Sequence, residues 1–455
     1  MRSPDSDGQG GAFRWLLRKE WRELLVSRAW WAMLAAMGPL VGVSFISAMR
    51  TYAEVSGLGG TAAGVGEALS PLVGVWAPTF SACEIAAAFL LPFVAIRLVG
   101  GDRQSGALKL ELQRPMTPIA RVGAKAIVLL AGWLIAMAAP LVAVALWKLY
   151  GGVTYAPELL TIVGGHILNA GLTVALAAAA ASLAEHPSTA AIVTLGVTVG
   201  TWIVNFVAAV QGGFWERAAG YTPTAMVAEF QHGLVRVDVV LIALALILAG
   251  LALAAVWMRL GVRVSRRVYE SIGVGAAAAL VIAACTFVKA SADTSENRMN
   301  SFPERDEEVL RRIPGPLRIE VHLAPEDPRR VDLERRALSK LRRVMPAVRI
   351  DYVSSTSIGL FEQTSEHYGE IRYELGGRQT TSRVTTAEGV LEAIYDVAGV
   401  RAPDEDDDVF RGHPLAAPAT GAPIIFYAVW PASVLAAAAL AGRRRARARA
   451  RIPGS

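Results

Sequence analysis

Eight long apolar runs constrain this chain more than any other feature of its sequence. Each run has 18 to 25 residues with few or no charges, the length that an α-helix needs to cross the hydrocarbon core of a bilayer. With 53% hydrophobic and 18% charged residues among 455, the composition excludes an ordinary soluble protein. We therefore predict a polytopic all-α membrane protein with about eight transmembrane helices, at residues 29–49, 75–96, 126–147, 159–183, 188–210, 237–258, 271–288 and 424–441.

The basic residues predict how these helices are oriented. If the N-terminus is cytoplasmic, the segments on that side carry 22 lysines and arginines, whereas the short loops on the other side carry 4. This asymmetry follows the positive-inside rule and predicts that both termini are cytoplasmic. The run RRRARARAR at 443–451 is then a membrane anchor. The alternative for that run is nucleic-acid binding, but beside a membrane helix we expect no nucleic-acid partner.

A charged block divides the chain into domains. The remaining 19 basic residues and 24 of the 39 acidic ones lie within 289–423, which indicates a soluble domain, and the parity of the spans places it outside the cytoplasm. Alternating apolar residues in LRIEVHL and VRIDY, with a helical segment between them, predict an inserted extracytoplasmic α/β domain. We find no nucleophile motif and no paired acid and base in it, so we predict no catalytic residues. The predicted parts are a cytoplasmic N-terminus (1–28), a six-helix membrane domain (29–262), a seventh helix (263–288), the α/β domain and its tether (289–423), an eighth helix (424–441) and a basic cytoplasmic tail (442–455).

An amphipathic helix is predicted at 12–27, before the first span. Apolar residues recur there every three or four positions, while the basic residues fall elsewhere on the helical wheel. We expect this helix to lie flat in the cytoplasmic interface, with Trp15 and Trp21 at headgroup depth and with Lys19 and Glu20 on the same helix. A plain extension before the first span is the alternative.

A charged loop, LVGGDRQSGALKLELQRPMTP, separates the second and third spans. Together with KEWRELLVSRAWW before the first span and GYTPTAMVAEFQHGL before the sixth, this arrangement resembles the permease subunit of ABC-2 type transporters over residues 12–262. In that family the loop forms a coupling helix that docks on the ATP-binding subunit. The resemblance implies this role for Asp102, Arg103, Gln104, Gly106, Leu108, Leu110, Arg114 and Pro115. Asp102 stands at a position where that family more commonly has glutamate. The alternative interpretation is that the charges of this loop only follow the positive-inside rule.

The expected function follows from this resemblance. The sequence contains no Gly-x-x-x-x-Gly-Lys-Ser/Thr loop, so ATP would be bound by a separate ATPase subunit, and the chain would hold no cofactor or metal and would not be an enzyme. The resemblance implies a permease that works as a homo- or heterodimer in the bilayer of the bacterial cytoplasmic membrane. Its substrate is not implied.

A second resemblance concerns residues 290–400. Segments such as GEIRYELGGRQTTSRVTT are similar to the extracytoplasmic region of the auxiliary component of gliding-motility-associated and uncharacterised ABC transport systems. This similarity implies an envelope partner for the α/β domain. The alternative function is therefore a non-transporting scaffold that passes the motion of a cytoplasmic ATPase to that partner.

Four polar side chains lie inside the predicted spans: Glu84, His166, Asn169 and Asn205. His166 and Asn169 are three residues apart and so share one helix face. Such groups either line a transport pathway or form hydrogen bonds between helices. Both interpretations stay open from the sequence.

The loop at 211–235 is too polar and too interrupted by glycine and proline to be a span. In the resembled family this position holds short re-entrant helices near the outer mouth of the pathway. We expect Trp215, Tyr221 and Phe230 to be interfacial anchors there.

Overall fold

Eight helices in the described part of the chain are long and apolar enough to cross a membrane, so the chain is a multi-pass membrane protein. The computed structural model describes residues 5–57, 69–104, 116–211, 213–259, 261–324, 327–345, 347–353, 367–403 and 410–450. Spans 1 to 8 are Arg28–Gly57, Leu72–Gly101, Pro118–Leu149, Ala156–Leu183, Pro187–Ala208, Val237–Trp257, Val264–Cys285 and Ala422–Arg443. The predicted number of spans is confirmed. Span 7 begins at Val264 and not at residue 271, and its polar first turns include Glu270, which lies 2.8 Å from Arg259 and 3.2 Å from Arg266.

The loops between the spans alternate between two ends of the bundle. The N-terminal helix, Asp5–Val26, and the last turns of the helix Trp430–Ala450 lie at one end, which we call the terminal end. The β-strands lie at the other end, which we call the sheet end. The helix of span 5, Pro187–Gln211, and a further short helix, Gly213–Ala219, lead into the sheet end.

Spans 2 and 3 are interrupted helices. Each break falls within the four residues before a proline, Pro92 or Pro140. Proline lacks the N–H that would bond to the carbonyl four residues earlier, and its ring clashes with that carbonyl. Span 2 consists of a π-helical turn (Leu72–Trp76) and the α-helices Ala77–Phe89 and Leu91–Gln104, and span 3 of Pro118–Ala136 and Ala138–Leu149.

Glycines allow the eighth span to approach the first closely. A Cβ added at Gly38 would lie 2.2 Å from the Trp430 ring, and one at Gly42 would lie 2.5 Å from the Phe426 Cβ. The Trp430 indole donates to the Leu34 carbonyl at 2.7 Å. Small residues at such contacts let membrane helices pack tightly. Spans 1 to 4 form most of the buried interior, whereas spans 5, 7 and 8 lie at the periphery.

Six short strands form two sheets among the described residues. They are β1 (Leu234–Arg236), β2 (Ser291–Asp293), β3 (Arg318–Val321), β4 (Arg349–Tyr352), β5 (Ile371–Leu375) and β6 (Arg378–Ser382). β1 and β2 pair in antiparallel fashion. The other four have the order β4-β3-β5-β6, in which β3 and β4 are parallel and the remaining pairs antiparallel. Parallel pairing of the LRIEVHL and VRIDY strands is what their helical connection predicts.

The larger sheet has its own hydrophobic core. Ile371, Tyr373 and Leu375 alternate with partly exposed residues along β5 and face the packed helices. These helices are Glu304–Arg312, Pro328–Leu333 with its continuations Glu334–Leu338 and Ser339–Val344, and Ala387–Ala398. We call residues 291–398 the sheet region.

Candidate functional site

A short helix, Pro223–Gln231, packs among spans 2, 4 and 5 at the sheet end, and we call it the wedge helix. At nine residues it is about 14 Å long and too short to cross a bilayer. Thr222 caps its N-terminus by accepting a hydrogen bond from the Ala225 N–H at 3.3 Å. The helix ends before Gly233, whose φ of 76° favours glycine. Local sequence therefore determines both of its ends.

The wedge helix approaches span 4 at a glycine. A Cβ added at Gly165 would lie 2.6 Å from the Phe230 Cβ, so only glycine leaves room for this contact. Phe230 is 4% exposed, and the prediction that it is an interfacial anchor is therefore wrong. Trp215 is 39% exposed, as an anchor requires, and Tyr221 is partly buried.

Three of the four polar residues predicted inside the spans contact the wedge helix or its cap. Glu84 of span 2 lies beside the Thr224 side chain. The Thr222 hydroxyl lies 2.9 Å from the Asn205 Oδ1 of span 5. The Nε2 atom of His166, in span 4, lies 3.5 Å from the Nε2 atom of Gln231. The structure thus brings polar groups of three different spans to one short helix.

Two of these polar groups lie well inside their spans. Glu84 is twelve residues into span 2 and His166 is ten residues into span 4, which places them about 15–18 Å along their helices from the sheet end. These spans have 30 and 28 residues, so their helices are about 42–45 Å long and exceed the hydrocarbon core of about 30 Å. Asn205 lies three residues from the end of span 5, close to the sheet end. The wedge helix therefore contacts polar groups inside spans 2 and 4 and at the end of span 5.

His166 is the most enclosed of these residues. It is 1% exposed, and its ring stacks on Phe80 with a centroid distance of 5.7 Å. Its Nδ1 is buried without a hydrogen-bond partner among the described residues. Asn169, on the same face, is 6% exposed and makes no side-chain hydrogen bond within the described part of the chain. Asn169 thus does not join the contacts of the wedge helix.

A charged cluster follows the wedge helix. Arg236 bonds to Glu229 at 2.9 Å and to Asp238 at 2.6 Å, and its guanidinium lies 5.7 Å from the centre of the Tyr221 ring. Burial raises the pKa of the Glu229 carboxyl, and the charge of Arg236 opposes that rise. The arginine therefore binds the end of the wedge helix to the start of span 6.

The sheet region is attached to this same segment. β1 follows the wedge helix directly and pairs with β2. The Thr294 N–H and hydroxyl donate to the Gly233 carbonyl at 2.8 and 2.9 Å, and the Asn300 side chain donates to the His232 carbonyl at 2.7 Å. On span 4, the Glu158 carboxylate accepts a hydrogen bond from the Glu296 N–H at 2.7 Å. We call these contacts the seam.

A buried ion pair lies at the opposite, terminal end. The Lys125 ammonium of span 3 lies 2.7 Å from the Glu20 carboxylate of the N-terminal helix, with exposures of 1% and 0%. Lys125 also donates to the Leu98 carbonyl of span 2 at 3.1 Å. Leu16 and Leu24, one turn to either side of Glu20, are fully buried as well. One lysine thus joins the N-terminal helix to the ends of two spans.

The other predicted residues of the N-terminal helix have different surroundings. Trp15 is 41% exposed. Lys19 lies 3.2 Å from Glu20 and 3.1 Å from Glu23, and Trp21 is partly buried. The sequence predicted the amphipathic character of the helix, but its flat position in an interface stays a prediction.

The charged loop between spans 2 and 3 is described only at its start. Residues 102–104 form the last turn of the helix Leu91–Gln104. The structure describes the backbone of Asp102, Arg103 and Gln104 but not their side chains. The other predicted coupling residues, Gly106, Leu108, Leu110, Arg114 and Pro115, lie outside the described residues. Their docking role stays a prediction.

Several residues of these sites were not identified from the sequence. The sequence places Lys125 in the loop, because a lysine at the end of an apolar run normally lies just outside the membrane span. One signal could have found it: Glu20 falls between Leu16 and Leu24 on the apolar face, so it needs a buried partner. Thr294 and Asn300 carry no sequence signal, because their role depends on pairing between distant segments.

No protein-family model, curated protein or solved structure matches this chain. Within the described residues, no group of three or more histidine, cysteine, aspartate or glutamate side chains could hold a metal ion. Function therefore has to be argued from the wedge helix, the seam and the ion pair.

Proposed function

We propose that this chain is the membrane-spanning permease subunit of a transporter driven by a separate ATPase subunit. The observation that supports this proposal is the wedge helix, which contacts polar groups inside spans 2 and 4 and near the sheet end of span 5. Placing a polar group inside a membrane span costs free energy, and in membrane proteins such groups commonly mark a transport pathway. Exchange of these polar contacts between the wedge helix and a passing solute or lipid headgroup would open and close the pathway.

The terminal end supports the same proposal. A motor that acts on the loop between spans 2 and 3 would move the ends of both spans. Lys125 connects these ends, because it pairs with Glu20 and bonds to the Leu98 carbonyl. Force applied at residues 102–117 would therefore reach spans 2 and 3 and the N-terminal helix together.

The proposal includes an orientation, with the terminal end cytoplasmic and the sheet region as an extracytoplasmic α/β domain. The 22 to 4 asymmetry of basic residues supports it. In a background without Cys83 and Cys285, Arg312→Cys in the sheet region should react with an impermeant maleimide on intact cells. Ser188→Cys, in the first turn of span 5 at the terminal end, should react only after permeabilisation. Equal labelling of both positions on intact cells would contradict the orientation.

Transport itself is tested in proteoliposomes that contain the chain and its co-purified ATPase. We expect ATP-dependent movement of at least one member of a panel of fluorescent lipids and small solutes. Gly165→Ala, which introduces a Cβ 2.6 Å from Phe230, should reduce this movement at least tenfold. Gly164→Ala is the matched control, since a Cβ there meets nothing within 4 Å. Equal activity of the two variants would refute a transport role for the wedge helix.

A second function, a non-transporting scaffold, is favoured by the seam. Since β1 and β2 pair directly and Asn300 bonds to His232, any motion of the wedge helix would also move the sheet region. A scaffold would keep ATP hydrolysis dependent on the chain while no lipid or solute in the panel moves. Breaking the seam with Asn300→Ala would then uncouple the sheet region without changing hydrolysis.

A further inference from the structure

A groove lies at the terminal end, between the N-terminal helix and span 3. Leu17 and Trp21 of the helix and Ile127 and Ala131 of the span form its apolar floor. It is shallow and largely open to its surroundings, with a volume of about 360 Å³. It lies away from the wedge helix, on a part of the molecule that the proposed transport pathway does not use.

Two arginines stand over this apolar floor. Arg18 and Arg22 are one turn apart on the N-terminal helix, both are exposed, and both line the groove. No acidic side chain lines it in the part of the chain that the structure describes. The groove thus combines an apolar surface with two adjacent arginine side chains.

The groove is continuous with a surface that faces lipid. Ile119, Ile127 and Leu134 share one side of span 3 and are 50%, 51% and 50% exposed. In a bilayer such an apolar helix face is covered by acyl chains. Because Ile127 belongs both to this face and to the groove, an acyl chain can lie along the span and enter the groove directly.

We propose that the groove binds one anionic phospholipid. Its acyl chain lies against Leu17, Trp21 and Ile127, and its phosphate accepts hydrogen bonds from Arg18 and Arg22. Guanidinium groups bind phosphate with paired, charge-assisted hydrogen bonds. A zwitterionic lipid would bring its own cation close to the two arginines, which opposes binding. Free phosphate would leave the apolar floor uncovered.

The position of this lipid gives it a structural effect. Glu20 holds one face of the N-terminal helix to span 3, and the lipid would hold another face to the same span. The helix would then be fixed on two sides. This inference depends on the membrane character of the chain and not on whether the chain transports anything.

The test measures binding of fluorescent phosphatidylglycerol and phosphatidylcholine to the full-length chain in neutral detergent. We expect preferential binding of phosphatidylglycerol. Arg18→Gln with Arg22→Gln should weaken it about 25-fold, because each arginine near an anionic lipid surface contributes roughly a factor of five. Both side chains are exposed, so the fold should be retained. Arg14→Gln with Arg263→Gln, which removes the same charge from exposed positions outside the groove, is the matched control and should bind like the parent chain.

A second variant tests the apolar floor. Ala131→Phe keeps both arginines but fills the groove, and it should weaken phosphatidylglycerol binding at least tenfold. The proposal would be overturned if the Arg18/Arg22 double variant and the Arg14/Arg263 double variant lost phosphatidylglycerol binding equally. Normal binding by Ala131→Phe would also overturn it. Binding of glycerophosphoglycerol, the headgroup without acyl chains, as tightly as the lipid would overturn it too.

Discussion

Replacing Lys125 with methionine should release the N-terminal helix from the bundle. The substitution removes the 2.7 Å contact with the Glu20 carboxylate, which stays buried beside Lys19 at 3.2 Å, together with the bond to the Leu98 carbonyl. At an effective dielectric constant near 20, two charges 2.7 Å apart attract by about 6 kcal/mol, which offsets the cost of desolvating them. Removing one partner of a buried pair typically destabilises a protein by about 3–5 kcal/mol, and because Lys19 still lies beside Glu20 we expect the lower end of that range, about 3 kcal/mol.

Hydrogen exchange measures this change locally. A loss of about 3 kcal/mol should accelerate exchange of the backbone amides at 16–26 by roughly a hundredfold. Lys148→Met is the matched control, because it removes an exposed lysine from the same span and should leave that exchange unchanged.

A double variant separates the ion pair from the bulk of the side chain. Glu20→Gln alone leaves the lysine charge buried, so it should also accelerate exchange of 16–26. Glu20→Gln with Lys125→Met removes both charges and should be less destabilised than either single variant. If the destabilisation of the double variant instead equals the sum of the destabilisations of the two single variants, the argument from a buried charge pair is refuted.

Two other predictions concern distant parts of the chain. A hydrogen bond from Arg329 lowers the pKa of Asp327 to about 2, so this carboxylate stabilises the fold above its unfolded pKa near 3.9 and loses that effect as the pH falls towards 2. Asp327→Asn should thus flatten the decrease in thermal stability of the sheet region between pH 4 and pH 2, whereas the more exposed Asp332→Asn should not. Gly38→Ala, whose added Cβ would lie 2.2 Å from a tryptophan ring of span 8, should lower the melting temperature of the chain in detergent, whereas Gly196→Ala, with nothing within 4 Å, should not.

The sequence predicted the spans because the length and hydropathy of a membrane helix depend on the bilayer and not on neighbouring helices. It also indicated the polar residues of the site, since Glu84, His166 and Asn205 are conspicuous in apolar runs. Their common partner was not predictable. The wedge helix is short, and its position depends on the space left by Gly165 and on pairing of β1 with β2.

The buried lysine shows a different limit of sequence analysis. Hydropathy assigns Lys125 to a loop, because it evaluates each residue by its own transfer cost. Its actual position depends on Glu20, more than a hundred residues earlier. The position of Glu20 on an apolar helix face signals a buried partner, but only the fold identifies that partner as Lys125.

The seam also determines the order in which the chain can reach its final structure. The Thr294 donor and the Gly233 carbonyl that it binds are 61 residues apart, and spans 6 and 7 lie between them. During synthesis the wedge helix therefore emerges well before the residues that secure its end. Only insertion of span 7 brings β2 to the same side of the membrane as β1. The bundle of the first six spans is thus unfinished until the seventh is in place, and a chain that ends before residue 291 would lack the strand that completes it.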